Sequence, residues 1–179
     1  MKIQFLIKSL ALKGGGAEKV FTIISNYFFN KGYDIEIVTF DKLDSSTFYF
    51  VEKKIKYHYL NAGDVSKNTN FFISIKRIFS LRNHFKKTKP DIIISFLSST
   101  FVFASLANIG LKSILIASEH IVYTHYTKFF WQKFFILYTS FFINKFTVVS
   151  SQAKRTYPFF LRKKMIVIEN PIISIKNLD

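Results

Sequence analysis

Short apolar runs alternate with stretches in which apolar residues recur every three or four positions. Residues 3–7 (IQFLI) read as a first, buried strand. Residues 9–16 form a loop ending in three glycines, and Val20, Phe21, Ile24, Tyr27 and Phe28 mark one face of a helix over 17–31. Gly32 stands where a helix C-cap belongs, and residues 34–40 (DIEIVTF) are the second strand. Residues 47–51 and 55–60 predict a small pair of strands around Glu52, Lys53 and Lys54. After a loop over 61–70, a basic helix is expected over 71–87. Ile75, Ile78, Phe79, Leu81 and Phe85 make its apolar stripe; Lys76, Arg77, Arg82, Lys86 and Lys87 make its polar one.

Pro90 ends that helix, and the β-branched run 91–96 (DIIISF) is expected in a strand covered on both faces. Ser98, Ser99 and Thr100 read as an N-cap region for a helix over 101–109, closed by Gly110. Residues 113–118 (SILIAS) form the fourth strand, with Glu119 and His120 immediately beyond its carboxyl end. A helix over 128–143, a strand over 146–150, a short helix over 151–157 and a strand over 165–168 complete the chain. Strands alternating with helices predict parallel βαβ units. The expected fold is one domain over 1–179: a doubly wound, mostly parallel, Rossmann-like α/β sheet, with a small β insertion after strand two. Ligands of such sheets bind past the carboxyl ends of the strands. The loops to watch are therefore 9–16, 97–100, 119–127 and 150–152.

Composition narrows the chemistry. With 179 residues and 49% apolar residues, the chain is long and apolar enough to bury a core. It has no cysteine, which excludes disulfides, iron–sulfur clusters and thiolate zinc sites. The opening residues resemble a signal peptide, but Lys8 interrupts the apolar run and no small-x-small cleavage site follows Gly14–Gly16. They read as a strand and its loop, in a cytoplasmic protein. The longest uncharged aromatic run, 134–144, is too short to span a bilayer. The net charge is +15, and no acidic residue occurs from His120 to Ile168. Such charge suits anionic lipid, nucleic acid or a phosphorylated small molecule. Nucleic acid is disfavoured, because zinc spacing, RNP aromatics and a clear helix-turn-helix are all missing.

Gly14, Gly15, Gly16 and Glu18 join strand one to helix one. Glycines there either let a phosphate or sugar approach a helix N-terminus or simply pack helix on strand. Lys19 replaces the third glycine of a dinucleotide fingerprint, and Glu18-Lys19-Val20 does not supply the Gly-Lys-Ser/Thr of a P-loop. His120 can hydrogen-bond a hydroxyl or act as acid or base; equally, local backbone can satisfy it. His120 and His125 lie five apart without clustered carboxylates, so no metal is expected. Residues 123–146, rich in aromatics and lysine, fit a membrane interface or a helix buried against the sheet. Lys76, Arg77, Lys128 and Lys133 are the basic candidates for a membrane-facing surface.

Five segments, in this order, carry a family resemblance. They are Ser9-Leu10 leading to Gly15-Gly16-Ala17-Glu18; Gly32-Tyr33-Asp34 before strand two; Lys89-Pro90-Asp91 with its apolar run; Ser118-Glu119-His120; and Val148-Val149-Ser150 with Ile168-Glu169-Asn170-Pro171. Together the chain resembles the N-terminal domain of the family 4 retaining glycosyltransferases, which have the GT-B fold. The resemblance implies transfer from a nucleotide sugar to a saccharide or lipid-linked acceptor in polysaccharide, lipopolysaccharide or glycan assembly, with no metal or other cofactor. It puts the glycine loop by the donor diphosphate and His120 by the donor sugar. Ser98, Ser99, Thr100, Glu119 and Tyr123 fall on the acceptor side. The basic helices would dock on the anionic inner face of the membrane. Lys19 departs from the arginine usual after Gly-Gly-Ala-Glu, and Gly14 is an extra glycine. Residues 168–179 resemble the hinge into a C-terminal domain that holds most of the donor site, so this stretch alone is expected to be inactive.

Overall fold

The computed structural model describes residues 1–11, 14–43, 45–67, 69–128 and 130–171, without the side chains of 127 and 128. Its strands are β1 (Lys2–Ile7), β2 (Asp34–Thr39), β3 (Lys56–Tyr59), β4 (Ile92–Phe96), β5 (Ile114–Glu119), β6 (Lys145–Val148) and β7 (Met165–Val167). Its helices are α1 (Gly16–Asn30), α2 (Phe71–Thr88), α3 (Ser98–Asn108), α4 (Phe130–Thr139), α5 (Ser151–Arg155) and α6 (Phe159–Arg162), with 3-10 turns at Tyr123–Lys128 and Ser140–Phe142. The strands form one sheet in the order β3-β2-β1-β4-β5-β6-β7, and every neighbouring pair is parallel. The order reverses between β1 and β4, which opens a crevice between the loops that follow them.

The two-residue period of each strand divides the core. Leu6, Val38, Ile93 and Leu115 pack with Leu81 and Phe85 of α2 and Phe101 and Ala104 of α3. Ile3, Phe5, Ile7, Ile35 and Ile37 pack with Val20 and Phe21 of α1. Burial on both faces explains why these strands read as continuous apolar runs.

The expected pair of strands after β2 is reduced to one. Lys56–Tyr59 joins the main sheet as its edge, paired with β2. Residues 47–51 make no strand, because their backbone groups find other partners. Phe48 N donates to Leu10 O at 2.9 Å, and the Asn26 amide accepts from Glu52 N at 3.0 Å and donates to Phe50 O at 3.1 Å.

The stripe on α2 is also rotated from the expected one. Its buried residues are Arg77, Leu81, His84 and Phe85, whereas Phe79 is exposed. Arg77 is fully buried, which removes it from any membrane-facing surface. Its guanidinium lies 4.6 Å from the Phe40 ring centroid and donates to Ala62 O at 3.1 Å and Thr69 Oγ1 at 2.7 Å. The expected helix over 128–143 is α4 followed by the 3-10 turn, and Phe129 lies outside the described residues. So do residues 172–179, most of the expected hinge.

Candidate functional site

The loops after β1, β4 and β5 come together at the carboxyl end of the sheet, because these strands are neighbours. The first loop is anchored by Asp41, a buried residue just past β2. Its carboxylate accepts from Ser9 Oγ at 2.5 Å and Leu10 N at 3.0 Å. Gly15 is the N-cap of α1 and offers no side-chain cap. Glu18 curls back over it: a Cβ on Gly15 would stand 2.6 Å from Glu18 Oε2. A carboxylate thus already complements the positive start of this helix, and an anion approaching Gly15 must displace it. The space beside Gly14 is filled by the Phe48 and Tyr49 rings, while that beside Gly16 is open.

After β4 the chain turns sharply. Leu97, the N-cap of α3, has φ 66° and ψ 150°, a conformation that L-residues with a Cβ adopt only under constraint. The constraint is visible: Leu97 N donates to Ser118 O at 2.9 Å, and Leu97 O accepts from Thr100 N and Phe101 N, each at 3.0 Å. The three hydroxyl residues expected as an N-cap region instead form the first turn of α3. Thr100 is fully buried, so a direct acceptor contact by it is excluded. Ser98 is buried and donates to Tyr126 Oη at 3.0 Å. Ser99 lines an open groove.

After β5, Glu119 is 1% exposed. Its Oε1 accepts from His120 N at 2.9 Å and Ile121 N at 3.1 Å, and its Oε2 from Tyr126 Oη at 3.0 Å. Glu119 therefore shapes the loop rather than touching a ligand. Burial pushes its carboxyl up to about 7, against the lowering effect of these three donors. Tyr157 Oη donates to Ile121 O at 2.9 Å and Tyr123 N to Thr156 Oγ1 at 3.0 Å, tying the same loop to the segment after α5. Tyr123 is buried and packs on Tyr126 and Tyr157, so it belongs to the core and not to the acceptor surface.

His120 is half-buried, and its ring stacks on Phe96 with centroids 5.3 Å apart. Burial lowers its pKa, which keeps the imidazole neutral at neutral pH. Ser118 Oγ lies 3.2 Å from Nε2 and accepts from Thr147 Oγ1 at 3.1 Å. Ser118 Oγ is thus within hydrogen-bond reach of the ring, and the imidazole tautomer sets which of the two donates. A neutral, positioned imidazole of this kind suits hydrogen bonding to a sugar hydroxyl.

A groove of about 820 Å3 runs between α2 and α3 to α4. Ile75, Ile78, Val102, Leu106 and Phe135 wall it, and Lys8, Lys67, Ser99 and Gln132 supply polar groups. Lys8 follows β1 directly. Burial, then the positive charge of Arg77, lowers the pKa of its ammonium, with Asp64 opposing. Sequence reasoning passed over Lys8, although its place after a strand signalled it. Tyr126 and Leu97 fall in the loops to watch, but nothing in the sequence signals what they do there, because Glu119, Ser98 and Ser118 meet them only in the fold. Among the basic candidates, Lys76 is exposed, Lys133 is half-buried with its Nζ 5.9 Å from the Tyr123 ring, and the side chain of Lys128 lies outside the described residues.

The sheet order, with its crevice past the carboxyl ends of the strands, is that of a doubly wound α/β domain. Residues 14–173 match Glycosyltransferase Family 4, and the chain belongs to that family. It is 31% identical over 173 residues to a Campylobacter jejuni protein, covering 96% of this chain and 46% of that one. That relative is the GalNAc-alpha-(1->4)-GalNAc-alpha-(1->3)-diNAcBac-PP-undecaprenol alpha-1,4-N-acetyl-D-galactosaminyltransferase. The apo lipopolysaccharide outer core galactosyltransferase WaaB superposes with a TM-score of 0.73 at 22% identity, covering 98% of this chain and 47% of that one. Sucrose-phosphate synthase from Thermosynechococcus elongatus superposes with a TM-score of 0.71 at 12% identity, covering 94% of this chain and 47% of that one. These two likenesses establish the fold. The chain spans about half the length of the relatives it matches.

Proposed function

We propose that this chain forms the acceptor-side half of a retaining glycosyltransferase, which moves a sugar from a nucleotide sugar to a lipid-linked saccharide in surface-glycan assembly. The groove between α2 and α3 carries the reading. Its apolar walls suit a hydrocarbon chain, while Lys8, Lys67 and the start of α3 favour the phosphates that join such a chain to a saccharide. The relative from Campylobacter jejuni, whose name specifies an undecaprenol-linked diphosphate saccharide, supports that acceptor class. His120 serves the donor sugar as a neutral hydrogen-bonding group, and Glu119 acts through it as a positioning residue. The glycine loop receives the donor diphosphate once Glu18 swings away. A second domain completes the cleft and holds most of the donor, in keeping with the half-length match. Transfer then relies on fixed positive charge, not on a metal, to stabilise the leaving diphosphate.

No helix among the described residues is long and apolar enough to cross a membrane. Phe130, Trp131, Phe134, Phe135, Tyr138 and Phe141 are nonetheless exposed, and the half-buried Lys133 lies between them in the chain. An aromatic surface of this kind beside a basic chain fits peripheral docking on anionic lipid, at the face where a lipid-linked acceptor is presented. Trp131 is the single tryptophan and adjoins Gln132 of the groove, so its fluorescence reports there. Titration with a short-chain prenyl diphosphate saccharide should change that signal, and Lys8→Ala should weaken binding about tenfold. Joined to its donor-binding domain, the protein should transfer label from a nucleotide sugar, and His120→Ala should abolish transfer while leaving acceptor binding intact. Binding without transfer would leave a glycolipid-binding module. No binding of the prenyl diphosphate saccharide would overturn the acceptor assignment.

A further inference from the structure

On the face of the sheet covered by α2, away from the cleft, three consecutive strands and the helix bring four polar side chains together. Gln4 comes from β1, Glu36 from β2, His58 from β3 and His84 from α2. The ligand atoms of Glu36, His58 and His84 all lie within 4.8 Å of one another. Glu36 Oε1 is 3.3 Å from His84 Nε2, close to the roughly 3.3 Å between two ligands of a tetrahedral zinc ion. The two imidazole rings are stacked, with centroids 4.0 Å apart and planes 24° from parallel.

As a purely hydrogen-bonded cluster this arrangement leaves a buried acceptor unpaired. Gln4 Nε2 places its two hydrogens on Glu36 Oε2 at 2.6 Å and Thr88 Oγ1 at 2.8 Å, so it has none for His84 Nε2 at 3.0 Å, which faces Glu36 Oε1. Gln4 is fully buried, yet its Oε1 has no partner. The outer carboxylate oxygen of Glu36 is already taken, by Gln4 Nε2 at 2.6 Å and Lys2 Nζ at 3.4 Å, which leaves Oε1 turned to the histidines.

We infer that Glu36, His58 and His84 form a divalent transition-metal site, zinc by its ligand chemistry, that fastens the edge strand β3 to β2 and α2. Two imidazoles and one carboxylate are a common zinc donor set, and the fourth position falls to water. A metal between His84 Nε2 and Glu36 Oε1 would take the place of the proton they share. Lys2 and Gln4 remain on Glu36 Oε2 and orient the carboxylate from outside. His58, half-buried on the edge strand, gives the ion a way in, and its ring must turn off the face of His84 to complete the set. The site lies apart from the cleft and its role is structural.

The chain has four histidines, which makes the test complete. Untagged protein, stripped with chelator, is titrated with Zn2+ by calorimetry and with Co2+ by visible absorption. One equivalent should bind, the Co2+ bands should be those of a tetrahedral site, and Zn2+ should raise the melting temperature. His58→Gln should weaken binding at least about 100-fold while keeping the native circular dichroism. The double variant His120→Gln/His125→Gln should bind as the wild type does. No stoichiometric binding, binding unchanged in His58→Gln, or binding lost in the double variant would each overturn the site. His84→Gln gives a second reading should His58→Gln fail to fold.

Discussion

Two glutamates are buried in the same sheet, and their surroundings drive them to opposite charge states. Glu36, near the start of β2, meets a histidine, a lysine and an amide. Burial alone would raise its pKa, but hydrogen bonds from His84 and Gln4 and the charges of His84 and Lys2 bring it down to about 2. Glu119, the last residue of β5, meets two backbone N–H groups and a phenol, none of them charged. Burial wins there, and its pKa rises to about 7. Burial pushes both carboxyls up, and hydrogen bonds from His84 and Gln4, joined by the charges of His84 and Lys2, reverse it only at Glu36. At one end of the sheet the pattern makes an ionised, cation-attracting cluster. At the other it makes a carboxyl that titrates near neutral pH and braces the loop after β5.

The largest effect expected is a contrast between two amide variants in chelator-treated buffer. Glu36 has a folded pKa below its ordinary 4.5, so the stability it contributes is complete above that value and is lost as pH falls towards about 2. Glu119 has a folded pKa above its ordinary 4.5, so its contribution is complete below that value and is lost as pH rises through about 7. Glu36→Gln should cost about 3 kcal/mol at neutral pH and flatten the acid limb of stability against pH. Glu119→Gln should cost nothing at neutral pH or stabilise, and should flatten the limb between about 4.5 and 7, because the Tyr126 hydroxyl turns to donate to Ser98. Denaturant unfolding across pH measures both. Equal costs for the two variants would break the comparison.

A smaller effect sharpens it. Tyr126→Phe removes one of the donors that hold the Glu119 pKa down. It should cost about 1–1.5 kcal/mol, and the neutral limb should move to higher pH. Smaller again is the strain next to Ser98. Leu97→Gly should be more stable than Leu97→Ala by about 1 kcal/mol, because glycine adopts a φ of 66° without penalty. The order of the two variants in denaturant unfolding checks this, and alanine the more stable would dismiss the strain.

Much of this was legible in the chain. The runs IQFLI, DIEIVT and IIISF are apolar on both faces and too short for helices, so they had to be covered strands. Glu119 and His120 stood at a strand's carboxyl end, which is where parallel sheets bind ligands. Helical period misled at Arg77: a basic residue was assigned to solvent, whereas Phe40, Phe103 and Ala62 accommodate it inside. No local signal separates an arginine that meets such partners from one that does not. The strand expected over 47–51 failed likewise, since Asn26 of α1 took its backbone groups.

The sequence by itself determined the alternation of strand and helix, the loops that gather at the carboxyl end of the sheet and the excess of positive charge. These follow from local period, from turn residues and from composition, all of which act over a few neighbours. Only the tertiary structure decided that Glu119 braces a loop through Tyr126 and Ser98. It alone decided that the groove beside Lys8 is open, and that His58 and His84, 26 positions apart, stack on one another. Those relations depend on which strands become neighbours and which helix crosses them. Long-range packing sets that, because it is where the free energy of burying both faces of the sheet is gained.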